Sequence, residues 1–143
     1  MNLTWRGPQI EREEEAAAAE ALQEFGLRLE TEAKKELYKG HGVVTGTARR
    51  SIHTASPDHN WAGDDVAPDS GTPERGGQTP DVGKKGSVLS IETGSGLEYA
   101  MALHQGHGSF AGYRFIMGPF DRIKGKFDDI LAKKSKARLA RLP

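Results

Sequence analysis

The sequence predicts an α+β fold. A long N-terminal helix and a C-terminal helix pack on a small, mainly antiparallel β-sheet that carries a long loop or hairpin excursion. Three observations predict it. Apolar residues recur every three or four positions through residues 10–39, and again from Phe120 to Leu131. Leu89 and Ile91 alternate with Ser90 and Glu92, the period of a half-buried strand. Residues 53–86 hold four of the seven prolines and six of the eighteen glycines, a composition that breaks regular structure.

A chain of 143 residues suits a single domain, 1–143. Residues 1–9 lack periodicity and are expected to form a flexible arm. Residues 10–39 form the long helix, with Ala18, Leu22, Phe25, Leu29, Ala33 and Leu37 on one face. Glutamates crowd its first turns and lysines its last, which complements the helix dipole. Gly40 is placed to cap it. Gly26 in mid-helix costs about 1 kcal/mol relative to alanine, so it marks a bend or a close packing contact.

The connector "GHGVVTG" leads to a strand expected from Ala48 to Ala55. Residues 53–86 are an extended loop, with Trp61 and Val66 as its sizeable apolar anchors, ordered against a partner. On that reading, deleting residues 57–84 leaves the remaining domain folded. Residues 87–131 complete the core: the strand "SVLSIETGS", a short helix in "GLEYAMALHQG" ending at Gly106, and a strand over residues 113–117. A helix then starts near Pro119 and buries Phe120, Ile123, Phe127, Ile130 and Leu131. Residues 132–143 are a basic tail.

Twenty acidic and twenty basic side chains balance, so no overall excess argues for nucleic acid. Their placement is uneven. Residues 10–38 carry nine acids and four bases, whereas residues 121–143 carry three acids and eight bases. Such polarity suits neighbouring subunits that meet acidic end to basic end. The absence of cysteine excludes a disulfide framework, a thiol nucleophile and a cysteine-ligated zinc site. No apolar run approaches the roughly 18 residues of a membrane span, and no signal-peptide core is visible, so a soluble intracellular protein without a membrane partner is expected.

No catalytic constellation emerges, and neither a cofactor nor a metal is expected. His104 and His107 are three apart, as in some metal sites, but His41, His53 and His59 offer no recognisable spacing for a third ligand. The glycines of "GHGSFAG" form neither a phosphate loop nor a nucleophile elbow around Ser109. The adjacent acids Asp64/Asp65 and Asp128/Asp129 are taken as solvated. The basic run "KKSKARLAR" supports an alternative function, a nucleic-acid-binding module acting through the C-terminal helix.

The order of signals resembles the neck or tail-completion proteins of tailed bacteriophages. "TGTARRSI" matches that family's T-G-x-L-R-x-S-I block at Thr45, Gly46, Arg49, Ser51 and Ile52, with Ala48 in place of leucine. Tyr99, Ala100 and Gly106 match a Y-A-x-x-x-E-x-G-T block, with Gln105 for the acid and His107 for the threonine. Phe115 and Ile116 match a P-F-L-R-P-A-like block, with Arg114 and Gly118 at its prolines.

The resemblance implies a structural virion protein that forms a ring at the head–tail junction, not an enzyme. Such a ring, of six copies or alternatively twelve, joins head-closure or connector proteins to the tail terminator or tail tube. Genomic DNA crosses its lumen without sequence readout, and assembly takes place in the host cytoplasm. The residues expected to make contacts in such a ring are Arg49, Arg50, Trp61, Tyr99, Arg114 and Phe115. Strand alternation would send Arg49 to a subunit neighbour and Arg50 to solvent or lumen. A lean composition, 36% hydrophobic with mean hydropathy −0.62, agrees with a subunit whose neighbours supply part of its burial.

Overall fold

The computed structural model describes residues 5–39, 42–43, 46–64 and 74–143. Helix α1 spans Gly7–Glu36. It starts ahead of the apolar periodicity because Pro8 sits in its first turn, where a fixed φ and a missing N–H cost nothing. Residues 7–9 therefore belong to the helix, not to an arm. At the other end Leu37 turns extended, with φ −101° and ψ 101°. Gly40 and His41 lie outside the described residues.

Ala17, Ala21, Phe25, Leu29 and Ala33 make the buried stripe of α1, continued by Leu37. In its first half the stripe is rotated one position from expectation. Ala17 and Ala21 are fully buried, while Ala18 and Leu22 are only half-buried.

Short elements follow. Strands β1 (Tyr38–Lys39) and β2 (Gly42–Val43) pair in parallel. Helix α2 (Thr47–Ser51) stands where a strand was expected from Ala48. Gly46 adopts φ 82°, a left-handed conformation that turns the chain into the helix, and its carbonyl accepts the Arg50 amide at 3.0 Å. Thr47, Ala48 and Ser51 are buried on one side of the turn, so the apolar signal belongs to a helix. Only His53–Ala55 is strand, β3.

A 3₁₀ turn follows at Trp61–Asp64, then strands β4 (Gly83–Lys85), β5 (Val88–Ser90) and β6 (Glu92–Gly94). β4 pairs antiparallel with β5, and β3 pairs antiparallel with β6. The single strand expected over residues 87–95 is thus two, because the chain changes ladder partner at Ile91. The sheet of the α+β fold is built from these short two-stranded ladders.

Helix α3 spans Ala100–Gln105. Residues 113–117 form no strand. The Tyr113 and Arg114 amides donate to the carbonyls of Leu103 and His104, at 3.0 and 2.9 Å, and so satisfy the end of α3. Arg114 takes φ 48°, and the chain enters helix α4 (Met117–Ile123). A 3₁₀ turn, Lys124–Lys126, separates α4 from helix α5 (Phe127–Leu139), which absorbs most of the expected basic tail.

Two apolar clusters share α1 as their backing. One joins Ala33 and Leu37 to Ala48, Ile52, Leu97, Ala100 and Phe115. The other joins Ala21 and Phe25 to Ile130, with Phe120, Ile123, Phe127 and Leu131 packed around them. Phe25 meets Phe120 and Phe127 edge to face, at centroid distances of 6.1 and 5.8 Å. The stripe expected for the second helix is therefore present, split across α4 and α5.

Gly26 is a close contact, not a bend. A Cβ there would stand 2.5 Å from Ile91 Cδ1 and 2.8 Å from Thr54 Cγ2. Its carbonyl accepts the Thr54 hydroxyl at 2.9 Å. One turn further, the buried Glu30 carboxyl accepts the Thr54 amide at 2.8 Å and the Gly77 amide at 2.8 Å. Helix, strand and the returning excursion are thereby tied at one group. Deletion of residues 57–84 would remove one of these partners and half of the β4–β5 ladder, so the excursion is not separable from the fold.

The two charged ends of the chain meet within one molecule. Arg138 pairs with Glu13 at 3.0 Å and also with Glu20, and Lys134 approaches Glu24 at 3.9 Å. The Arg138 guanidinium, through its hydrogen bond, is the main cause holding the Glu20 carboxyl below its ordinary value.

Two outcomes are expected. Glu30→Ala leaves the buried Thr54 amide and the part-buried Gly77 amide without acceptors and lowers the unfolding free energy by about 2 kcal/mol in urea titration, while Glu30→Gln keeps one acceptor and loses about half as much. For the surface pair, a carboxyl held low in the folded state stabilises above its unfolded pKa, and that stability is lost as pH falls through the folded value. The thermal midpoints of wild type and Arg138→Met should therefore differ at neutral pH and low salt, and converge in acid or high salt.

Candidate functional site

The first turns of the excursion fold back on β3. Ser56, Pro57 and Asp58 make a tight turn in which the His59 amide donates to the Ser56 carbonyl at 3.1 Å. The Ser56 hydroxyl donates to Asp58 at 2.5 Å, and it is the chief cause holding that carboxyl below its ordinary value. The turn returns His59 beside His53, their rings 5.2 Å apart and perpendicular. Trp61 covers both, with its ring centroid 4.8 Å from each imidazole.

Asp64, at the end of the 3₁₀ turn, is 7% exposed and faces both histidines. Its Oδ2 lies 2.5 Å from His59 Nε2 and 3.3 Å from His53 Nε2. Its Oδ1 accepts from Arg75 Nη1 at 3.1 Å. His53 Nδ1 sits 3.0 Å from the Ser51 carbonyl. A carbonyl only accepts, so the proton of neutral His53 is on Nδ1 and its Nε2 lone pair points toward Asp64.

Close backbone approach holds this arrangement together. A Cβ on Gly96 would meet the Trp61 carbonyl at 2.1 Å and Asp64 Cβ at 2.6 Å. The Trp61 ring lies over Gly94, and its Nε1–H donates to Glu92 Oε2 at 2.7 Å. Arg75 is anchored through its amide to the Arg50 carbonyl at 2.9 Å, and the Lys34 ammonium donates to the Arg75 carbonyl.

Sequence spacing did not find this cluster. It pointed to His104 and His107, which the fold employs otherwise. His104 Nε2 accepts the Met117 amide at 3.1 Å at the start of α4, and its ring meets Phe115 edge to face. Burial first, and the nearby Arg114 second, push its pKa down, which keeps it a neutral acceptor. His107 packs on Phe110. Asp64 is not a solvated acid, and Asp65 and Val66 lie outside the described residues. The usable signal was the turn "SPD" between two histidines.

The residues expected to make contacts scatter. Arg49 is exposed and Arg50 half-buried on α2, adjacent on a helix and about 100° apart, so the opposed faces of a strand do not apply. Tyr99 is 36% exposed at the entry to α3. Arg114 is exposed and pairs with Asp121 at 3.4 Å. Phe115 is 1% exposed and belongs to the core. Trp61 alone joins the histidine cluster.

Family models, curated proteins and solved structures yield no match to this chain. No helix among the described residues is long and apolar enough to cross a membrane.

Gly96→Ala forces the 3₁₀ turn off β6 and should red-shift the Trp61 emission, with a lower thermal midpoint. An unchanged spectrum would show that Trp61 is not held by that contact.

Proposed function

We propose that the chain is a structural ring subunit of a tailed-phage head–tail junction, joining head connector to tail. The observation that supports this reading is where the three resembling sequence blocks lie. Ala48 and Ile52 of the first, Ala100 of the second, and Phe115 of the third are buried in one cluster against Ala33 and Leu37. Blocks separated by tens of residues thus form one structural unit, as blocks shared across a family of folds would.

A ring subunit also needs a surface for its neighbour. Met101 is 63% exposed and Met117 42% exposed beside a groove of about 290 Å³ that Phe115 and Ile116 floor. Exposed methionines over an apolar floor suit a subunit contact. The ring would hold six copies, with twelve as the alternative, and would meet a head-closure protein on one face and tail terminator or tube on the other. DNA would pass without base readout. The nucleic-acid-module reading gains less support, because Arg138 and Lys134 of α5 face glutamates of α1.

Native mass spectrometry of the purified protein should give a closed oligomer at micromolar concentration. Met101→Asp should reduce it to monomers with an unchanged far-ultraviolet spectrum. A wild-type protein that stays monomeric and is missing from purified virions would sink the reading.

A further inference from the structure

We propose that His53, His59 and Asp64 form a binding site for a zinc-class divalent cation, which clamps the start of the excursion to β3. One ring nitrogen of each histidine and one Asp64 carboxylate oxygen all lie within 4.8 Å of one another, and both Nε2 atoms face Asp64 Oδ2. Two imidazole nitrogens and one carboxylate oxygen are a donor set that zinc accepts, with water completing a tetrahedron.

The edge lengths test the fit. Metal–ligand bonds of about 2.05 Å place tetrahedral donors about 3.3 Å apart. His53 Nε2 and Asp64 Oδ2 already stand at 3.3 Å. His59 Nε2 and Asp64 Oδ2, at 2.5 Å, hold a hydrogen bond in the metal's place. Binding requires His59 to carry its proton on Nδ1 and that edge to open to about 3.3 Å. His59 sits in a turn and is half-buried, so its ring is the movable member.

The surroundings orient the fixed members. The Ser51 carbonyl holds the His53 proton on Nδ1, which aims the Nε2 lone pair into the site, as outer partners of metal-bound histidines do. Arg75 engages Asp64 through Oδ1 and leaves Oδ2 for the site. Trp61 lies against the His53 ring, 4.8 Å away between centroids, and restricts its rotation. Such a clamp is independent of whether the protein forms a ring.

The test uses the full, untagged chain, stripped with chelator and titrated with Zn²⁺ by calorimetry. One ion per chain is expected, with affinity at least about 100-fold weaker in His53→Ala and in His59→Ala, and unchanged in His104→Ala. Asp64→Asn keeps the shape of the carboxylate and should weaken binding even where its circular dichroism matches wild type. Co²⁺ titrated into Trp5→Phe should quench the remaining Trp61 emission with the same stoichiometry. Absence of Zn²⁺ binding by wild type, or equal affinity in the folded His53→Ala/His59→Ala double variant, would overturn the proposal.

Discussion

The fold depends on a carboxyl group in the wrong kind of place. Glu30 projects from the buried face of a helix, where a charged group survives only if its oxygens are met. They are met by two backbone amides from different parts of the chain, Thr54 and Gly77. One helical residue therefore does what a longer sheet would do elsewhere: it gives ordered partners to amides that no ladder reaches. Gly76 follows from the same constraint, since it runs at φ 108° and a Cβ there would stand 2.5 Å from Glu30 Oε2. Gly26, one turn earlier, lets the helix approach closely enough for these bonds to form.

The helical half of this architecture was legible in the sequence, because long amphipathic periods survive any tertiary context. Phe25, Leu29, Ala33, Leu37, Phe120, Ile123 and Ile130 all face where their spacing placed them. The β half was not. Its ladders are two or three residues long, too short for alternation to be distinguished from a helical turn, and "TARRS" became a helix accordingly. "YRFIM" looks like a strand by composition, yet its first two amides are consumed by carbonyls at the end of α3 and the Met117 amide by the His104 ring. Nothing local marks Glu30 as an acid whose partners lie 24 and 47 residues away.

The histidine cluster was hidden for a related reason. Metal-site spacing rules assume that one helix or one hairpin delivers two ligands in register. Here a turn, a 3₁₀ segment and a strand end each deliver one. Charge patterning misled in the opposite direction: the acidic and basic ends looked like docking faces for neighbours, but part of each is spent joining α1 to α5. An oligomer built from this chain would need to rest more on apolar surface than on the charge asymmetry.

The change of ladder partner at Ile91 divides the molecule mechanically. β3 and β6 are bolted to α1 through Thr54, Thr93 and the Gly26 carbonyl. β4 and β5 reach the same helix through an exposed Lys84–Glu15 pair and the half-buried Leu89. Local opening is expected to follow the weaker attachment, so the β4–β5 hairpin should exchange its amide protons at a fraction of the global free energy while β3–β6 stays closed. The protein thus carries a compliant finger on a stiff palm, with Ser90 and Ile91 as the knuckle.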